Sequence, residues 1–147
     1  MKKNIQKEDI TFQIKGIELL DVNIVYPKTP LNREVIFKFN INVEIKIVNE
    51  NSLVMAMVSI DILDNENTDK YGFIKVNCVF GVESFGSFLN SETNKVDLPK
   101  QFITTINSIT ISTARGIMFN QFRGTFLHGA ILPIIDPTFL QKEINQG

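Results

Sequence analysis

Val35-Ile36-Phe37-Lys38-Phe39-Asn40-Ile41-Asn42-Val43-Glu44-Ile45-Lys46-Ile47 decides the fold class. Every odd position is apolar, and from Lys38 onward every even position is polar or charged. Side chains of a strand alternate between its two faces, so this period of two predicts one long strand with a buried face and a wet face. Antiparallel sheets tolerate a wet face; fully covered parallel sheets do not have one. Val54, Ala56, Val58, Ile60 and Ile62 repeat the pattern in a strand expected from about Leu53 to Leu63. Ile74, Val76, Cys78, Phe80 and Val82 repeat it in a strand expected from about Tyr71 to Val82. The polar links Asn49-Glu50-Asn51-Ser52 and Asp64 to Lys70 are turn-like in composition, and their shortness predicts an antiparallel meander.

On the N-terminal side, Phe12-Gln13-Ile14-Lys15 and Leu20-Asp21-Val22-Asn23-Ile24 also alternate. Ile17 and Leu19 break the phase between them, and Gly16 marks a bulge there. Pro27 and Pro30 end this first strand. The C-terminal third changes period. Leu98-Pro99 could open a helix, since proline is tolerated in the first turn. Phe102, Ile106, Ile109, Thr113 and Ile117 follow helical spacing, but the β-branched run through Ile103, Thr104, Thr105, Ile109, Thr110 and Ile111 argues against helix on propensity. The spacing therefore predicts a helix from about Asn107 to Phe122, stopped at Arg123-Gly124. Asp136-Pro137 has the cap-then-proline signature of a second, short helix over about Pro137 to Asn145. With strands first and helices after, the chain reads as one α+β domain over residues 1–147: a four-stranded antiparallel sheet packed against a long helix and a short C-terminal helix.

Composition narrows the function. Lys+Arg is 15 and Asp+Glu is 16, so no long-range field draws nucleic acid or an anionic membrane. Met1 to Asp9 carries two lysines but no apolar run, so it does not read as a secretory leader. No stretch approaches the ~20 apolar residues of a membrane span. A single cysteine, Cys78, fits a reducing compartment, and a cytoplasmic protein is expected.

Catalysis and cofactors find little to use. His128 is the one histidine, and Cys78 sits mid-strand on the apolar face, which reads as a core thiol and a loop imidazole. A zinc site lacks ligands, Gly81 and Gly86 make no phosphate loop, and there is no GxxxxGK motif. Arg115 and Arg123 fit the C-terminal end of a helix on dipole grounds alone. No enzyme activity and no cofactor are expected. The chain instead has 12 phenylalanines and no tryptophan. Phenylalanine carries no polar group to satisfy, so it suits apolar cores and apolar grooves alike.

Two stretches resemble the SecB family of export chaperones. One is Thr11-Phe12-Gln13-Ile14-Lys15-Gly16-Ile17, continuing through Asp21-Val22-Asn23 to Pro27 and Pro30. The other runs from Thr113-Ala114-Arg115-Gly116-Ile117 through Arg123-Gly124-Thr125-Phe126 to Leu132-Pro133, Asp136 and Phe139-Leu140. The middle, about Val35 to Lys100, is similar in pattern and hardly in residues. The resemblance implies a sheet backed by helices, a homotetramer built as a dimer of dimers, and grooves that hold unfolded polypeptide clients.

A holdase of that kind needs adaptable apolar surface and open strand edges rather than a shaped pocket. Phe85-Gly86-Ser87-Phe88-Leu89 and the apolar stretch Phe126 to Ile135 are the segments that offer it. The candidate client-binding residues are Phe85, Phe88, Leu89, Phe126, Leu127, Ile131, Leu132, Ile134 and Ile135. An apolar loop on a surface marks an interface or a binding site, and the same loop folded back caps the core; both roles fit one loop. Met55 and Met57 lie on the alternate face of their strand, where packing beneath a helix or across a subunit interface is the favoured reading. Asp21 matches one acid of the patch with which SecB-like chaperones meet the SecA motor. The next matching position is Val25, and the fourth-strand acid falls near Lys75 or Val76. Loss of those charges weakens electrostatic steering toward SecA. SecB-like chaperones that guard an antitoxin need no acidic face, which makes an antitoxin a second possible partner. A non-chaperone oligomeric module with the same fold is the remaining alternative.

Overall fold

β2 (Phe37–Val48), β3 (Leu53–Asp64) and β4 (Lys70–Val82) form where the period-two runs place them. The computed structural model describes residues 10–28, 30, 35–66, 69–140 and 144–146. Met1 to Asp9, which do not read as a secretory leader, and residues 67 and 68 of the predicted polar loop lie outside the described residues. In β3 the alternation is complete: Val54, Ala56, Val58, Ile60 and Ile62 are wholly buried, and Leu53, Met55, Met57 and Ser59 on the other face are half-buried. β2 and β3 pair antiparallel without a register shift, from Phe37 opposite Asp64 to Val48 opposite Leu53.

β1 (Phe12–Ile24) joins beside β4, so the antiparallel strands run in the order β1-β4-β3-β2. β2, β3 and β4 follow each other as the expected meander. The chain between Ile24 and Phe37 passes from one edge of the sheet to the other, as in a Greek key.

β1 carries two register shifts, one between Ile14 and Gly16 and one between Leu19 and Asp21. Each inserts one residue and so resets the phase of the strand. Phe12, Ile14, Ile17, Leu19, Val22 and Ile24 then all stand opposite Val82, Phe80, Cys78, Val76, Ile74 and Gly72. The two shifts together keep the apolar residues of the strand, Leu20 excepted, on one side. The second shift, at Leu20, leaves that leucine exposed.

α1 (Lys100–Gln121) lies across β3 and β4. It begins just after Pro99, about two turns ahead of the predicted start at Asn107. Packing overrides propensity here: Phe102, Ile103 and Ile106 in those first turns are buried in the core. The threonines also accommodate, because Oγ1 of Thr104, Thr105, Thr110 and Thr113 each donates to the carbonyl four residues back. The core between helix and sheet is dominated by Phe80, Ile60, Ile62, Ile74, Ile106 and Met118. Each contributes roughly 1.5–3 kcal/mol by leaving water.

Between β4 and α1 the chain makes a 3-10 turn at Phe85–Phe88 and a small hairpin of β5 (Leu89–Asn90) and β6 (Lys95–Val96). The C-terminal helix predicted over Pro137–Asn145 is shorter than expected. It is one 3-10 turn, Pro137–Leu140, and by Ile144 the chain is extended as β7 (Ile144–Gln146), parallel to β2. Residues 141–143 lie outside the described residues. Asp136 Oδ1 does cap, accepting from Thr138 N at 3.0 Å and Thr138 Oγ1 at 2.7 Å. A short helix is marginal on its own, whereas the β2 edge offers unpaired backbone groups to an extended chain.

Candidate functional site

The chain leaves α1 at Phe122 and turns through Gly124, whose φ of +78° lies in the left-handed region. Thr125 tightens the turn: Oγ1 donates to the Phe122 carbonyl at 2.7 Å and accepts from Leu127 N at 3.1 Å. The stretch that follows is split between inside and outside. Leu127, Ala130 and Leu132 are buried in the core, while Ile131 is 57% exposed and Ile134 97%. Phe126 and Ile135 are half-buried. The loop therefore both caps the core and presents apolar side chains to water.

Two devices hold it. Leu127 lies so close to Gly72 that a Cβ there would come within 2.8 Å of Leu127 Cδ1. Arg115 reaches from α1 and donates from Nε to the Leu132 carbonyl and from Nη2 to the Pro133 carbonyl, each at 2.8 Å. Arg115 is thus a clamp on loop backbone rather than a generic charge at a helix end.

Phe126 joins an aromatic group at this end of the sheet. Its ring sits 5.4 Å from Tyr26 and 5.9 Å, edge to face, from Tyr71. Tyr71 is buried and donates its hydroxyl to Asp64 Oδ2 at 3.1 Å. Burial first, and then the Asp64 carboxylate, push the Tyr71 phenol up, so it stays neutral. Tyr26 is 69% exposed, and Val25 beside it is exposed as well. Val25 and Tyr26, with the half-buried Phe126, are the open apolar groups at this end, and Ile131 and Ile134 are exposed farther along the loop. Neither Tyr26 nor Val25 carries a sequence signal for client binding, because both follow a strand and precede Pro27, where the pattern is that of a turn.

The other candidate segment lies elsewhere. Phe85 to Leu89 follows Val82 at the far end of β4, whereas Phe126 meets Tyr71 at the near end. Twelve steps of strand separate those ends, about 40 Å. Within the segment, Phe85 is a core residue, Phe88 is half-buried and Leu89 is exposed. The helix-facing row of β1 spans the gap. Ile14, Ile17, Leu19 and Val22 face the side that α1 covers elsewhere, yet Ile17 is 51% exposed and the other three are also open. α1 lies over β3 and β4, meets β1 at Phe12, and leaves Ile14, Ile17, Leu19 and Val22 open. Phe12 closes the row at one end by edge contacts with Phe80 and Phe102.

Three of the nine predicted client residues, Phe85, Leu127 and Leu132, are buried in core positions. Their apolar character is what the core requires, and sequence alone does not separate the two uses. Asp21 is exposed on the opposite face, in register with Lys75. That face is mixed in charge: Lys70 pairs with Asp61 at 2.8 Å and lies over the Phe73 ring. Met55 and Met57 also belong to it, on the side away from α1, so no packing beneath that helix occurs.

Cys78 is buried on β4 among the core residues, and His128 is exposed beside the Phe119 ring. Burial pushes the Cys78 thiol up, with hydrogen bonds to Thr110 and Thr113 opposing it. Among the described residues no three His, Cys, Asp or Glu side chains gather as a metal site, and no helix is long and apolar enough to cross a membrane.

Neither a family model nor a curated protein matches this sequence. The fold does have a solved counterpart. The chain is similar to the Mycobacterium tuberculosis SecB-like chaperone Rv1957, solved in complex with a ChAD peptide from the Rv1956 HigA1 antitoxin. The TM-score is 0.61 at 13% identity, over 84% of this chain and 89% of that one. The protein has the SecB-like fold.

Proposed function

We propose that this protein is a chaperone without catalytic activity that holds unfolded polypeptide against apolar side chains exposed along its 126–135 loop and at Val25 and Tyr26. The observation that carries this reading is the divided loop: Leu127 and Leu132 anchor it in the core while Ile131 and Ile134 stand in water. A loop whose only role was to cap the core would not hold a 97% exposed isoleucine three residues from a second exposed one, Ile131. The client set becomes Phe126, Ile131, Ile134 and Ile135 with Val25 and Tyr26 added, and Phe88 and Leu89 as a separate contact at the far end of β4. The SecB-like fold supports the reading.

The test is suppression of light scattering by a chemically unfolded, aggregation-prone client. The wild-type protein should suppress at stoichiometric amounts, and an Ile131→Ser/Ile134→Ser variant should lose most of that effect with little change in stability. A wild-type protein that leaves aggregation untouched overturns the proposal.

We further propose that the bare β1 row and β1 edge are covered by a second copy, as part of a homotetramer. An edge of 13 residues with no paired strand among the described residues, beside four exposed aliphatic side chains, is a strong template for association. A cytoplasmic location goes with this reading. A role in export through SecA is not favoured, because Asp21 stands opposite Lys75 on a face of mixed charge. Service to an antitoxin is the second reading, supported by the antitoxin peptide bound to the similar Mycobacterium tuberculosis chaperone. Pull-down of one short partner rather than many precursors distinguishes it.

A further inference from the structure

We infer that β7 is a built-in stand-in for the client: it occupies the β2 edge at which an extended polypeptide with alternating apolar residues adds as a strand, and such a polypeptide displaces it. The inference rests on the chaperone reading above and adds a backbone site to it.

The sheet has two edges. β1 forms one, and β2 forms the other except where β7 covers it. Ile144, Asn145 and Gln146 pair in parallel with Ile45, Lys46 and Ile47. All other paired strands among the described residues run antiparallel. Three residues of parallel pairing on a single neighbour make a weak clasp, since parallel ladders are slightly the less stable kind and no strand among the described residues pairs with β7 on its far side. No strand among the described residues pairs with β2 from Phe37 to Glu44 on this outer side.

That open length is suited to an extended apolar guest. Phe37, Phe39 and Ile41 on the helix side are half-buried, whereas Ile45 and Ile47, beside β7, are buried. Lys38, Asn40 and Asn42 face the other way and are exposed. A guest strand with apolar residues at every second position sets them beside Phe39 and Ile41 and its polar residues beside the lysine and asparagines. Backbone pairing reads no side chain, so it suits a protein that binds many sequences. β7 blocks the end of the edge, so a guest longer than the open part must displace it.

The probe is a fluorescently labelled, reduced and carboxymethylated client protein, titrated against the full chain, a chain ending at Leu140, and a full-length Ile144→Pro/Asn145→Pro variant. Proline cannot donate to a ladder, so the last keeps the chain length while breaking the pairing. Both changes should tighten binding, by about fivefold if the edge is free in about a fifth of wild-type molecules. Amide exchange at Ile45–Ile47 should speed up in both free variants and slow again when the client is added. Equal or weaker binding by the variants, with the wild type binding normally, overturns this inference and leaves the chaperone reading standing. Client protection that appears only away from β2 overturns it as well. If no form binds the client, the chaperone reading falls and takes this inference with it.

Discussion

The contact between Gly72 and Leu127 decides whether the 126–135 loop is truly anchored, and a double-mutant cycle tests it. Gly72 sits on β4 between Ile24 and Ile62, with Leu127 pressed over its bare Cα. A Cβ at Gly72 would stand 2.8 Å from Leu127 Cδ1 and 3.2 Å from Ile62 Cδ1. Gly72→Ala therefore overpacks the site. That costs about 1–3 kcal/mol, offset by up to about 1 kcal/mol from a less free unfolded chain. Leu127→Ala removes a fully buried side chain and leaves a cavity, at about 2–5 kcal/mol. In the double variant the new Cβ enters space that the leucine has left. The combined cost should fall short of the sum by about 1 kcal/mol, well outside the ~0.5 kcal/mol scatter of independent sites. Urea unfolding followed by circular dichroism measures all four corners of the cycle. Additive costs, or a Leu127→Ala loss below about 1 kcal/mol, would show that the loop is not pinned here and would remove the physical basis for the exposed Ile131 and Ile134.

Arg115→Ala deletes two charge-assisted hydrogen bonds to the Leu132 and Pro133 carbonyls; a loss of about 1–2 kcal/mol in denaturant unfolding is expected, and Arg115→Lys, which lacks the fork, should recover less than half. The Tyr71 phenol is pushed up in the folded state, so its stabilising contribution is complete below the unfolded value of about 10 and is lost as pH rises through the higher folded value. The alkaline limb of a stability–pH curve should be shallower in Tyr71→Phe, and an unchanged limb would mean the phenol is not held neutral by its surroundings. Ile17→Glu places a charge in the middle of the bare β1 row; sedimentation at micromolar concentration should show association weakened without loss of cooperative unfolding, and an unaltered oligomer would put the subunit contact elsewhere.

The local features were legible because local periods encode them. β2, β3 and β4 follow from alternation that one residue of slippage would turn inside out, so their faces and approximate limits could be read directly. The bulge at Gly16 was legible from the phase break around Ile17; the one at Leu20 was not, because Leu20 through Ile24 alternates well enough to look regular. The first two turns of α1 were hidden by β-branched residues whose propensity is modest beside the burial of Phe102, Ile103 and Ile106. Other features depend on chain segments far apart in sequence. The place of β1 beside β4 requires a crossing from one sheet edge to the other. The extension of Ile144–Gln146 requires a β2 edge to pair with. At the candidate site, sequence identified the apolar stretch from Phe126 to Ile135 but could not sort Leu127 from Ile131 or Leu132 from Ile134. Hydrophobicity is the same on both sides of that division; only the position of Gly72, the reach of Arg115 and the area that α1 leaves uncovered determine which side chain finds a core and which meets water.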